Sequence, residues 1–154
     1  MPQRRANPVL SCGVLVLAPA GELLLGHATG TPRWDIPKGI AEPDETPVQT
    51  ALRETVEETG LRLAVDELLD LGCHAYRRGK DLHLFAVLRE RFDTAGCACR
   101  STFVDRHGRS VPELDRFAWI AFDDVPARCG RSLAALLGAL DLAGVLARLE
   151  RRSR

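Results

Sequence analysis

Residues 46–60, "TPVQTALRETVEETG", carry start and stop signals that leave one local structure open to them. Thr46 suits an N-cap, Pro47 suits the first helical position, and Gln49 completes a T-x-x-Q capping box. Gly60 suits the left-handed stop just past the last turn. The spacing therefore predicts a helix over Pro47–Thr59, about 20 Å long. Val48, Ala51, Leu52, Thr55 and Val56 fall on one side of it, and Glu54, Glu57 and Glu58 fall within about 100° of one another on the opposite side. Two of these acids stand at the negative end of the helix dipole, where each exposed charge costs about 0.3–1 kcal/mol. Glu54 and Glu58 also repel as an i,i+4 pair.

A solvated acidic face is the simple reading of this pattern. Such a face normally mixes signs, yet the helix has no lysine and its one basic residue, Arg53, precedes the acids. The second reading is a cation site. Three carboxylates on one face suit a hard divalent ion with oxygen ligands, leaving positions for water and phosphate, and Arg53 is placed to orient one carboxylate. That chemistry serves phosphoryl transfer or hydrolysis.

Around the helix, "VLSCGVLVLA" (9–18) is a continuous, β-branched apolar run and predicts a buried strand, with "PAGE" as a turn and "LLLGH" (23–27) as its hairpin partner. Residues 28–45 read as one long loop. "DLGCHAYR" (70–77) and "DLHLFAVLRE" (81–90) predict a hairpin about "RGK", and "RFAWIAF" (116–122) a further strand. Residues 91–115 read as turn-rich and mobile, and 123–131 as a connector. Ser132 suits the cap of one final helix running to about Leu149, followed by a short, solvated basic tail. Strands, helix, strands and helix in that order imply an α/β fold with a mixed sheet between helices. At 154 residues, one domain spanning 1–154 with a core over about 8–150 is expected.

Lysine plus arginine and aspartate plus glutamate are both 21, so no global field favours a long polyanion, and general nucleic-acid binding is not expected. Arginines ahead of the first apolar run invite a signal-peptide reading, but Val14–Leu17 is too short for its apolar region. No segment approaches the length of a membrane span, and the chain reads as cytoplasmic. The five scattered cysteines fit free thiols, and "CAC" at 97–99 lacks a second Cys/His pair at zinc-site spacing.

Taken together, residues 39–61 resemble the Nudix box, G-x5-E-x7-R-E-U-x-E-E-x-G-U, where U is a bulky aliphatic. Gly39, Glu45, Arg53, Glu54, Glu57, Glu58, Gly60 and Leu61 stand at the required spacings, and Thr55 is the one departure. "WDIPKG" (34–39) resembles the segment leading into the box, and "PELDRFAWIAFDDV" resembles a later acidic loop and strand of the family. The resemblance covers roughly residues 10–125 and is weakest across 91–111.

The resemblance implies a Nudix-type α/β/α sandwich and hydrolysis of a nucleoside diphosphate linked to another group X. It further implies Mg2+ or Mn2+ and attack of metal-activated water at phosphorus. By position, Glu54, Glu57 and Glu58 are metal ligands with the Gly39 carbonyl, Arg53 orients the glutamates, and Glu45 and Gly60 support the box. Glu113 is a further ligand or the general base, with Glu54 the first choice for base. Arg33, Lys38, Tyr76 and Lys80 are substrate-binding candidates, each with a plainer alternative as a solvated charge, core side chain or hairpin contact. Trp119 reads as core, and His74 and His83 as weaker base-pocket candidates. The "WDIPKG" segment leans toward dinucleoside polyphosphates. Inositol pyrophosphates, RNA 5′ ends and a sensing domain that binds without hydrolysis stay open. The small pyrophosphate substrate is the expected partner, and the sequence leaves the oligomeric state open.

Overall fold

The structure, a computed structural model, describes residues 7–154. The arginines of the signal-peptide reading, Arg4 and Arg5, lie outside the described residues. Nine strands and four α-helices follow in order: β1 Val9–Ala18, β2 Glu22–Ala28, β3 Trp34–Asp35, β4 Lys38–Ile40, α1 Pro47–Thr59, β5 Leu69–Arg77, β6 Lys80–Leu88, β7 Thr102–Val104, β8 Ser110–Pro112, β9 Leu114–Ala121, α2 Val125–Arg128, α3 Arg131–Leu140 and α4 Leu142–Arg152. Seven strands form a mixed sheet in which β1 pairs parallel with β6 and the other neighbours pair antiparallel.

Alternation along β1 sends Cys12, Val14 and Val16 toward α1 and Leu15 and Leu17 toward α3 and α4. Both faces are covered, which is why β1 reads as an unbroken apolar run. Ala51 of α1 closes one core with Phe85, Val87 and Trp119. Leu133, Leu136, Leu137, Val145 and Leu149 close the other against Leu23, Leu82 and Leu84. The arrangement is the expected sandwich, with the mixed sheet between helices.

Four expectations need correction. The loop read over 28–45 contains β3 and β4, which enter the gap where β1 and β2 diverge. Their only mutual pairs are Leu17 with Leu23 and Ala18 with Glu22, while β4 pairs with Ser11–Gly13 and β3 with Gly26–His27. Gly13 admits this wedge, because a Cβ there would stand 2.6 Å from the Pro37 carbonyl oxygen. The final helix is two helices, broken at Asp141 with φ 58°, and its first N-cap is Gly130 rather than Ser132. The last helix runs on to Arg152 through the basic tail, whose arginines are exposed as expected. The 91–115 segment carries the β7–β8 hairpin and docks on α1 through its backbone, so it is not the free turn-rich loop expected.

No single helix among the described residues is long and apolar enough to cross a membrane. All five cysteines are free thiols, as expected, and burial raises Cys129 to about 12, far from a nucleophilic thiolate.

Candidate active site

The capping box forms as the sequence predicts: Thr46 Oγ1 accepts the Gln49 N–H (3.3 Å) and the Thr46 N–H donates to Gln49 Oε1 (2.9 Å). Gly60 ends the helix at φ 81° and donates to the Val56 carbonyl. The exposed carbonyls of the last turn find partners in the following loop. Ala98 N–H donates to Thr59 O (3.0 Å) and Arg100 N–H to Glu57 O (2.6 Å). Thr55, the residue outside the box pattern, is fully buried and turns its hydroxyl back to the Ala51 carbonyl at 2.7 Å.

The acidic face is not a solvated one. The buried stripe of α1 is Thr50, Ala51, Glu54, Thr55, Glu58 and Thr59, and Val48, Leu52 and Val56 are only half-buried beside it. Glu58 retains 3% of its exposure and Glu54 9%. The wedge of β4 makes this possible by standing over the acidic side of the helix. The Lys38 N–H donates to Glu58 Oε1 at 2.9 Å. Gly39 lies so close to Glu54 that a Cβ would stand 2.1 Å from its Cδ. The box begins with glycine because the Glu54 carboxylate fills the space a side chain would take.

Arg53 binds one side of the cluster. Its Nε and Nη2 clasp Glu45 at 2.7 and 2.9 Å, its Nη1 donates to Glu54 at 2.9 Å and approaches Glu57 at 3.3 Å, and Nη2 also reaches the Ile40 carbonyl. Glu45 further accepts the Glu42 N–H and the Thr50 hydroxyl, each at 3.0 Å. These bonds, Arg53 first, hold the Glu45 carboxyl down at about 2. The Glu45 clasp in turn keeps the Arg53 guanidinium well above its usual range.

The other side of the cluster is short of positive charge. Burial pushes the Glu58 carboxyl up to about 8. The Lys38 N–H opposes the shift, and the charges of Glu113 and Glu54 add to it. Burial also raises Glu54, against the pull of Arg53 and with Glu57 and Glu113 adding to it. Glu113, exposed between β8 and β9, thus stands close enough for its charge to be felt by both. Its backbone is pinned by the Ser101 carbonyl and the Thr29 N–H.

Among the described residues no three His, Cys, Asp or Glu side chains are already gathered around one point. Glu54 and Glu57 are turned to Arg53, and Glu58 to the Lys38 amide. The donor set is nevertheless all carboxylate oxygen, under-compensated and backed by a backbone cradle at Gly39, which fits a hard divalent cation and not a soft one.

The substrate-side candidates divide. Lys38 Nζ pairs with Asp35 at 3.0 Å and stands 5.9 Å from the Tyr76 ring centroid. Burial acts to lower the Lys38 pKa, but Asp35 outweighs it and holds the ammonium above its usual range. Tyr76 and His74 share a face, as alternation predicts, and line a cavity of about 560 Å³ with Arg131, Ser132, Leu136 and Leu140. His83 points to the opposite side, stacked on Phe85 and bonded to Asp70. Lys80 is the first residue of β6, paired with Val9, and makes no hydrogen bond to a box residue among the described residues. Arg33 is exposed and packs its stem near Gly130. Asp35 was not singled out from the sequence, although its i,i+3 spacing to Lys38 is a legible signal. Trp119 is core, its indole N–H donating to the Phe92 carbonyl.

Comparison with known proteins matches this geometry to one family. A family model described as NUDIX domain matches residues 7–137. An uncharacterized 17.7 kDa protein of the e-segB intergenic region of Enterobacteria phage T4 is 39% identical over 124 residues, covering 72% of this chain and 81% of its own. An RNA pyrophosphohydrolase of Marinomonas sp. (strain MWYL1) is 26% identical over 118 residues, covering 71% and 73%. Among solved structures, a C. elegans Ap4A hydrolase binary complex superposes with a TM-score of 0.60 at 22% identity, covering 88% of this chain and 98% of that one, which is a likeness of fold.

Proposed function

The chain belongs to the Nudix family and is one of its hydrolases, and on that premise we propose that it cleaves a nucleoside diphosphate linked to a further group X, using Mg2+ or Mn2+. The observation that carries this reading is the division within the box: Arg53 clasps Glu45 and is shared with Glu54 and Glu57, while the buried Glu58 has no ion-pair partner among the described residues. Glu54, Glu57 and Glu58, with the Gly39 backbone, would hold the cation. When bound, it supplies charge neutralisation at the phosphate oxygens and a lowered pKa for adjacent water.

The chain's own residues do the rest. Arg53 fixes Glu54 and Glu57 in one orientation through Nη1. Glu54 takes the proton of the attacking water, because burial raises its basicity while Arg53 keeps it aimed. Glu113 is the alternative base. Lys38, kept charged by Asp35, meets a phosphate oxygen. Tyr76 and the cavity beside α3 receive the nucleoside or X. The lead-in segment favours dinucleoside polyphosphates. RNA 5′ ends are the second reading, favoured by the relative named RNA pyrophosphohydrolase.

The test is a product-pair screen of dinucleoside polyphosphates, nucleotide sugars, nucleoside triphosphates, inositol pyrophosphates and 5′-triphosphorylated oligonucleotides, with and without Mg2+. Mg2+-dependent cleavage that Glu57→Gln abolishes is expected. Binding without any product would replace the hydrolase with a sensor, and full activity in Glu57→Gln would refute the ligand assignment.

A further inference from the structure

A second charged feature lies on the sheet face opposite α1. The guanidinium carbons of Arg116 and Arg128 stand 5.5 and 5.9 Å from the centroid of the Trp34 ring, and His27 meets that ring edge-on at 5.3 Å. Topology brings these residues together. Trp34 and Arg116 pair with His27 from its two sides, and Trp34 bridges to Cys129, the residue after Arg128. Arg33 precedes Trp34 and lies against Gly130, and Arg131 opens α3. Three separate stretches thus deliver four exposed arginines to one corner of a chain whose net charge is zero.

Acids do not balance this corner. Asp115 lies 4.0 Å from Arg116, but its carboxylate is taken by His27 at 2.6 Å. Among the described residues no carboxylate pairs with Arg33, Arg128 or Arg131. Like charges gathered around one ring repel, and an anion bound among them removes that cost. Trp34 makes the arrangement more than a crowd of solvated side chains, since guanidiniums resting on an aromatic ring lose less freedom on binding and still present their N–H edges. Planar donors in that form match phosphate oxygens.

The corner is also connected to the box. Trp34 begins the segment that ends at Gly39, so at most about 17 Å of chain separates ring and cradle. Arg131 lines the same cavity as Tyr76, which faces Lys38.

We propose that the arginine platform on Trp34 is a second anion subsite, holding phosphate groups of the substrate other than those of the anhydride that is cleaved. It rests on the pyrophosphohydrolase reading. Those phosphates belong either to a longer nucleoside polyphosphate or to the backbone behind an RNA 5′ end.

The direct test is binding of inorganic tripolyphosphate, without metal, followed by tryptophan emission across a salt series. Wild type binds saturably. Arg116→Gln/Arg128→Gln weakens binding at least about tenfold and lowers the salt slope by about 2, whereas Arg151→Gln on the last helix changes neither. With the cleaved substrate, the double variant raises KM about tenfold and keeps kcat within about twofold. A wild-type KM that falls with phosphate number assigns the subsite to nucleoside polyphosphates, and one that falls with nucleotide length assigns it to RNA. Unchanged tripolyphosphate affinity and salt slope in the double variant, with hydrolysis intact, would overturn the subsite, as would a KM indifferent to both lengths. Tripolyphosphate binding without product from any substrate would instead overturn the hydrolase reading.

Discussion

Glu45 and Glu58 flank the same helix and belong to the same box, yet they are in opposite electrostatic states. Glu45 receives a guanidinium, a backbone N–H and a hydroxyl, and its carboxyl is held at about 2. Glu58 is more deeply buried, receives one backbone N–H, and is pushed up to about 8. The difference teaches that the box is neutralised on one side only. Arg53 is a permanent counter-ion for Glu45 that Glu54 and Glu57 share, and Glu58 is left without an ion pair among the described residues, poised for a charge from outside the chain.

Removing Arg53 erases the contrast and has the largest expected effect. Arg53→Ala leaves Glu45, Glu54 and Glu57 without their cation, so kcat falls on the order of 10²–10³-fold and stability by about 2 kcal/mol, read by steady-state kinetics and urea unfolding. Arg53→Lys recovers little of either, because a single ammonium cannot span Glu45 and Glu54 together.

Gly39→Ala breaks the other side. Its Cβ would occupy the space of the Glu54 carboxyl, so kcat falls roughly 10²-fold while the capped helix persists in circular dichroism.

The pH dependence of metal-free stability sharpens the comparison. A folded-state pKa raised from 4.5 to about 8 means that the native state holds a proton which the unfolded chain has released. Stability from this group is therefore full below about 4.5 and is lost as pH rises toward 8. A fall of several degrees in Tm across that window is expected, and Glu58→Gln, neutral throughout, flattens it. The Glu45 contribution has the opposite sign, being present above the ordinary glutamate range and lost as pH falls through about 2.

Asp35→Asn has the smallest effect. It frees Lys38 from its partner, and KM rises a few-fold with kcat nearly unchanged.

Much of this was legible in the residues. Thr46, Pro47, Gln49 and Gly60 are local signals, and they mark the ends of α1 without reference to the rest of the chain. The acids stand at spacings that a resemblance can read. Burial of Glu54 and Glu58 was not legible, because a helical wheel assigns them to the face opposite Val48 and Leu52. They are covered only when β4 enters the gap beside β1, a long-range event whose traces in the sequence are two glycines, Gly13 and Gly39. The break at Asp141 carries no glycine or proline itself, and Gly144, where a Cβ would stand 2.7 Å from the Asp141 carboxylate, reads alone as an ordinary helical glycine. The docking of residues 97–100 on α1 runs through backbone N–H groups, which carry no side-chain signature. The Trp34 corner joins residues from three stretches, and only the fold makes them neighbours.

The central claim is that the under-compensated side of the box receives a divalent cation. Calorimetric titration with Mn2+ near pH 7, in two buffers of different ionisation enthalpy, tests it most directly. Because Glu58 is largely protonated at that pH, binding should release about one proton per ion, seen as a buffer-dependent heat that Glu58→Gln removes. Mn2+ binding with no buffer dependence, or with the same proton release in Glu58→Gln, would contradict the account.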